Sequence, residues 1–401
     1  MSSLRALGLG KNQLTGIIPP SIVFMERFQR KFLGFRFNTN KQTGKIPSGL
    51  YNISTLTYLD VSKNYLEGSI PRELSLPNVE YLNIGQNLFT GTVPNSIVNL
   101  SSLQKLNIEQ NYFTGPTPND LGLLLSHQKL LFLDNLLQDD FTFISSLTNC
   151  SDLQFIVVSN NLLSGPLPDC IGNLSTNMTY MVMDNNRIYG KLPSGIGNLR
   201  NLGMLTISMN ELTGPIPTSI GNLPSLIQLH LHANNLTGVL SSSLRNLSLL
   251  NSLFLHQNKI LGSIPPSLGQ ISNLLELDLS RNKLNGSIPR EITSISSISF
   301  STQRTDWYSS IRNWALKNLA ELDVSNNRLS GSLPNSLGNA LIPQAWSALK
   351  GLQELDLSNN NLSGKIPSFL GELHLEKLNL SSNRLNREVP KQVIYMEVLQ
   401  T

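Results

Sequence analysis

His230, His232 and His256 are the side chains whose types and spacing could most readily do chemistry. His232 and His256 hold the same phase in neighbouring copies of a repeat, so parallel strands would set their backbones ~4.8 Å apart. His230 lies two residues earlier on the same strand face. Three imidazoles so placed could bind a metal or sense acid. The phrase leucine-histidine-any-asparagine is equally a plain spelling of the repeat itself, at Leu231 to Asn234 and again at Leu255 to Asn258. The two cysteines, Cys150 and Cys170, sit at different phases, so nothing brings their Cα atoms within the ~7 Å of a disulfide. They read as two buried free thiols, and their spacing fits neither a zinc ribbon nor a C-x-x-C redox pair. Kinase signatures H-R-D and D-F-G are absent, and Gly8-Leu9-Gly10-Lys11 lacks the spacing and the Ser or Thr of a P-loop. No H-E-x-x-H, nucleophile elbow or calcium loop occurs. The sequence therefore reads as a protein that is not an enzyme and takes no metal and no cofactor.

The elements that must position these residues are copies of one frame, L-x-x-L-x-L-x-x-N-x-L-x-G-x-I-P. An early copy runs Leu4, Leu7, Leu9, Asn12, Leu14, Gly16, Ile18, Pro19, and a late one Leu352, Leu355, Leu357, Asn360, Leu362, Gly364, Ile366, Pro367. A period of roughly 24 residues marks one supersecondary unit stacked on copies of itself, a leucine-rich-repeat solenoid. Fifteen units centre on Asn12, Asn40, Asn64, Asn87, Asn111, Asn135, Asn161, Asn186, Asn210, Asn234, Asn258, Asn282, Asn327, Asn360 and Asn383. A sixteenth, degenerate unit fits Ile295, Ile298, Phe300 and Gln303. The expected fold is an α/β solenoid over residues 1–401, a curved right-handed superhelix with a parallel β-sheet on its concave face. In each unit the leucines should point inward, the asparagine should bond backbone at the strand exit, and Gly and Pro should shape the turn that follows.

Four segments break the rhythm, near 20–31, 138–149, 302–317 and 339–348. The first precedes a unit with Phe32, Phe35 and Phe37 in leucine positions and Gln42 at an apolar one. The second, Asp139 to Phe143, should bulge on the side or convex face. The third holds Trp307, Tyr308 and Trp314, and the fourth Trp346. Inserts of this kind serve as functional loops or as irregular solvated segments. The first repeat begins at once after Met1-Ser2-Ser3, and neither end carries a cysteine-paired cap, so a fragment of a longer protein is expected.

Charged residues make up 14% of the chain and the net charge is +4, with Lys and Arg scattered, so no basic stripe for nucleic acid exists. No apolar run reaches the ~18 residues of a membrane span, and no secretory leader is visible. On the concave side, residues lie six, four, two and one positions before each asparagine. Late units repeat a polar phrase there, Glu276, Asp278, Ser280, then Glu321, Asp323, Ser325, then Glu354, Asp356, Ser358. The middle units instead offer Phe155, Val157, Tyr180, Val182, Met204, Met209, His230, His232, Phe254 and His256. An exposed aromatic, methionine and histidine surface of that kind suits a partner, whereas drift in an unconstrained sheet face would be its idle counterpart. Sequons occur at Asn52, Asn99, Asn149, Asn173, Asn177, Asn235, Asn246, Asn285, Asn361 and Asn379. None occupies a concave strand position between Phe155 and His256.

The phrase G-x-I-P-x-x-I-G-N-L, seen at Gly190 to Leu199 and Gly214 to Leu223, resembles the plant-specific leucine-rich repeat of receptor-like kinases, receptor-like proteins and polygalacturonase inhibitors. Phe143 to Ser151, Leu167 to Ile171 and the closing Leu378 to Ser381 with Glu388-Val389-Pro390 are similar to the immune-receptor subfamily that includes the flagellin and elongation-factor sensors. That resemblance implies the ligand-recognition ectodomain of a plant cell-surface receptor. It would bind a peptide or protein on the concave face, together with a co-receptor that has a leucine-rich-repeat ectodomain, on the extracellular side of the plasma membrane, held there by segments missing from this chain. It implies no nucleic-acid partner. A secreted polygalacturonase-inhibitor-like protein or a truncated, non-signalling product are the alternatives.

Overall fold

The computed structural model describes residues 4–24, 33–294, 321–333 and 352–394. The chain forms two compact units, Met1–Leu202 and Gly203–Thr401.

In the first unit the frame's L-x-L segments become three-residue parallel strands in chain order, among them Tyr58–Asp60, Tyr81–Asn83, Lys105–Asn107, Lys129–Leu131, Phe155–Val157 and Tyr180–Val182. Period-two alternation sends the middle residue inward. Leu59, Leu106, Leu130, Ile156 and Met181 are accordingly fully buried, and the residues before them face out. In the second unit the strands Met204–Thr206, Gln228–His230, Ser252–Phe254, Glu276–Asp278, Glu321–Asp323, Glu354–Asp356 and Lys377–Asn379 pair by the same rule.

The asparagine of each frame closes its unit. Asn135, 5% exposed, donates through Nδ2 to the carbonyls of Ile108, Phe132 and Leu133, and its Oδ1 accepts from Phe113 N–H at 3.1 Å. Asn234 repeats the pattern on Ile207, Leu231 and His232, with Leu212 N–H as donor at 2.9 Å. One amide thus satisfies backbone groups in its own loop and in the previous unit, which no apolar residue could do. The residue just before the asparagine is left-handed each time, as at Asp134 (φ 53) and Ala233 (φ 52), without being glycine. Hydrogen bonds from the next side chain to the carbonyls two and three residues before it hold that backbone in place.

A second set of strands was not foreseen. Lys41–Gly44, Tyr65–Gly68, Leu88–Gly91 and Tyr112–Gly115 pair in parallel in the first unit, and Leu261–Ser263, Lys283–Gly286, Arg328–Ser332 and Asn361–Gly364 do so in the second. The asparagine Oδ1 caps an N–H in these strands, as Asn64 does for Gln42 at 3.0 Å. Short 3-10 helices follow the proline, for example Thr218–Asn222. The glycine of the I-G-N phrase is required by close stacking there, since a Cβ on Gly221 would lie 2.5 Å from Ser243 O.

Glu276–Asp278 pairs with Glu321–Asp323, and Asn327 Nδ2 bonds Leu279 O at 3.0 Å. The residues assigned to the degenerate sixteenth unit, and the inserts 302–317 and 339–348 with their tryptophans, lie outside the described residues, as do Phe32 and most of 20–31. Segment 138–149 does not bulge out. Asp139 accepts from Thr117 N–H at 3.0 Å, Phe141 turns the chain at φ 69, and the helix Thr142–Leu147 buries Phe143, Ile144 and Leu147. Its apolar residues supply a core face where other units use a 3-10 helix.

Candidate functional site: the outward rows of the main sheet

Register lines up the residue six positions before each asparagine. In the first unit that row starts at Ala6 and Gly34 and continues Tyr58, Tyr81, Lys105, Lys129, Phe155, Tyr180, the last six all half-buried. Tyr58 and Tyr81 stack with ring centroids 4.2 Å apart, and Phe155 and Tyr180 with centroids 4.7 Å apart. Between the stacks the two lysines splay apart. Lys105 Nζ lies 4.8 Å from the Tyr81 ring centroid, and Lys129 Nζ lies 4.4 Å from that of Phe155. Arg36 adds a third cation over Tyr58, 4.1 Å from its centroid. Offset rings and cations over ring faces follow the ring quadrupole, which keeps this row ordered. Burial holds the Lys129 ammonium below its usual range, and the charge of Lys105 adds to that. Burial also lowers Lys105, against the pull of Glu109 and Asp60.

Sequence reasoning found Phe155 and Tyr180 and missed Tyr58, Tyr81, Lys105 and Lys129. The signal was available, because all six share one phase of the repeat. Val157 (2% exposed) and Val182 (6%) are buried, which corrects their expected exposure: small β-branched side chains sink between the larger neighbours of the row.

In the second unit Met204 is likewise buried, at 5%, whereas Met209, on the left-handed loop position, is 54% exposed. His230 and Phe254 stack at 4.4 Å, and His232 and His256 at 4.3 Å. His230 Nε2 shares a 2.8 Å hydrogen bond with Ser252 Oγ. His256 Nδ1 approaches Asp278 Oδ2 at 2.9 Å, close enough for an ion pair but poorly aligned for N–H donation. Burial, then the neighbouring imidazoles, pushes His230 down to about 3, and burial with His256 pushes His232 down to about 4. Both rings are therefore neutral at ordinary pH. Stacked parallel rings do not converge their nitrogens, and among the described residues no group of three His, Cys, Asp or Glu side chains is arranged to hold a metal.

Beyond the histidines the rows turn acidic. Glu276, Glu321 and Glu354 stand in register and end at Lys377, while Asp278, Asp323 and Asp356 end at Asn379. Lys377 Nζ meets Glu354 Oε2 at 3.4 Å. A small cavity of about 110 Å³ opens among Phe254, Asp278, Glu321, Asp323 and Lys377. Burial and then the adjacent carboxylates raise both Glu321 and Asp323, so this stretch is more than a neutral polar coat.

Both thiols are free. Cys150 is buried, its thiol raised to about 11 by burial, while Cys170 is only half-buried and lies 3.4 Å from Ser145 Oγ, which corrects the expectation that both are buried. Eight sequon asparagines are exposed, and Asn235 and Asn379 are half-buried.

Leucine-rich-repeat family models match residues 54–113, and again 152–174, 249–271, 273–295, 318–340, 351–373 and 374–395. Receptor-like protein EIX1 of Solanum lycopersicum is 44% identical over 63 residues, 15% of this chain and 6% of that protein. Among solved structures, the Arabidopsis receptor kinase HAESA ectodomain, in complex with an N-terminally extended IDA peptide hormone, matches with a TM-score of 0.85 at 28% identity, covering 98% of this chain and 60% of that one. A TDR receptor matches with a TM-score of 0.81 at 27% identity, covering 97% and 62%. The chain thus spans about three fifths of these ectodomains and a short stretch of EIX1. With frame, ladder, sheet and matches in agreement, this is a leucine-rich-repeat protein whose homologues are plant receptor-like proteins and the ectodomains of leucine-rich-repeat receptor kinases.

Proposed function

We propose that the chain is the ligand-recognition part of a plant cell-surface receptor and binds a peptide or protein segment on the outward face of its main sheet. The observation that carries this reading is the ordered run of stacked aromatic and cationic side chains at one repeat phase, on a face where the fold itself needs none of them. Aromatic and cationic side chains are the groups that anchor interfaces. HAESA, with the IDA hormone and also with the co-receptor SERK1, offers the parallel. A peptide ligand and a leucine-rich-repeat co-receptor are the partners expected by that parallel. Exposed sequons fit an extracellular setting, where glycans would crowd other surfaces before this row. Among the described residues no helix is long and apolar enough to cross a membrane, so attachment would come from other parts of the protein.

The test is selection of binding peptides on the full chain from a displayed library of random short peptides. Replacing Phe155 or Tyr180 with Ala should weaken the selected ligand by more than ~1 kcal/mol each, as for buried aromatic anchors. The reading fails if that ligand binds the double variant as tightly as the parent.

A further inference from the structure

We infer that the row Tyr58, Tyr81, Lys105, Lys129, Phe155, Tyr180 is a docking strip for an acidic peptide segment in the polyproline-II conformation. Its carboxylate would lie between the two lysines, and its apolar side chains three residues before and after would cover the two aromatic stacks. The inference rests on the receptor reading of this same face and specifies the ligand.

Charge comes first. Among the described residues Arg290 pairs with Glu291 and Lys377 with Glu354, His256 Nδ1 lies beside Asp278, and no carboxylate is in ion-pair contact with Lys105 or Lys129. The two ammoniums sit on adjacent strands, each over a ring; Lys105 also donates to the Tyr81 hydroxyl at 3.4 Å and feels Glu109 and Asp60 at longer range. Two cations ~5 Å apart at their backbones, partly withdrawn from water, favour an anion between them. A carboxylate accepts from both, in bonds stronger than neutral ones.

Spacing sets the rest. The row is symmetric, an aromatic pair, a lysine pair and an aromatic pair in unbroken register. With strands ~4.8 Å apart, the centre of the lysine pair lies two strand steps, ~9.6 Å, from the centre of either stack. A β-strand ligand reaches that far in about three residues but would turn the third side chain to the opposite face. A polyproline-II segment rises ~3.1 Å per residue with three residues per turn, so every third side chain returns to one face ~9.3 Å along. That period matches the row. The stacked rings, their faces taken by one another and by the cations, offer apolar edges at low ordering cost, since stacking already fixes their rotamers.

The experiment sequences the peptides enriched by the displayed library on the full chain and measures their binding to the parent and to the double variant Lys105→Gln, Lys129→Gln. The strip predicts a shared Asp or Glu with an apolar residue three positions away on each side. It also predicts at least about tenfold weaker binding to the double variant, and weaker binding to the parent as salt is raised. Changing the acidic residue of the peptide to its amide, on unaltered protein, should cause the same loss, which covers the case of a double variant that misfolds. Peptides that lose affinity with Phe155→Ala and Tyr180→Ala but ignore both the lysine and the amide changes overturn the strip and leave the receptor reading standing. Peptides indifferent to lysines and aromatics alike overturn both.

Discussion

The outward rows of the two units share strand length, register rule and repeat phase, yet one is aromatic and cationic and the other imidazole and acidic. At the same phase the first unit places Lys105, Lys129 and Phe155 where the second places Glu276, Glu321 and Glu354. Inward, the two are nearly interchangeable: Leu106 and Leu130 in one, Leu277 and Leu322 in the other, all buried. The contrast teaches where this fold is constrained. Burial and the asparagine ladder fix the inward positions, and the outward ones are free to take a charge and a shape that suit a ligand.

The largest effect that would disturb the comparison comes from acid. His127 replaces the first leucine of its frame, is fully buried, and neither ring nitrogen has a clear partner. Burial pushes it down to about 4, against a small pull from the Leu103 carbonyl. A folded-state value below the unfolded one means the unfolded chain binds the extra proton. Stability contributed by the neutral ring is therefore whole above about pH 6.5 and is lost as pH falls towards 4. The loss should be on the order of 3 kcal/mol for this group. His127→Leu should abolish it in the first unit. In the second unit His230 and His232 move in the same direction and should keep their acid sensitivity. Hydrogen exchange between pH 7 and 4, resolved by segment, separates the two; equal rescue of both units would show that they are not independent.

Next in size is the ladder, which should not distinguish the units at all. Asn135→Ala and Asn234→Ala each strand several buried backbone groups and should each cost about 1–3 kcal/mol in denaturant unfolding. A loss of only a few tenths at either position would mean that the amide is not what closes that unit.

Smaller still are the outward changes, and they should differ in sign. Phe155→Ala removes a stacked pair and should destabilise by about 1 kcal/mol. Asp323→Asn relieves a carboxylate whose value burial and its neighbours raise, so it should stabilise slightly near neutral pH. Thermal midpoints of the two variants moving in the same direction would erase the contrast between the rows.

The inward half of this fold was legible from the frame alone, because a period-two strand and an asparagine at its exit leave few alternatives. The second set of strands was not, since its sequence is a glycine-interrupted turn, and its pairing depends on the Oδ1 of an asparagine one unit away. The aromatic row was half legible. Phe155 and Tyr180 stood out as large apolar residues, but Lys105 and Lys129 look like ordinary solvated lysines until the rings beside them are seen in space. Val157 and Val182 were misjudged for the opposite reason, because phase gives direction but not depth.

The most direct measurement is the affinity of one selected acidic peptide for three proteins: the parent, Lys105→Gln with Lys129→Gln, and Glu321→Gln with Glu354→Gln. The account predicts at least about tenfold weaker binding to the lysine pair variant and no change for the glutamate pair variant. Unchanged binding to the first with a loss in the second would place recognition on the acidic row and contradict it.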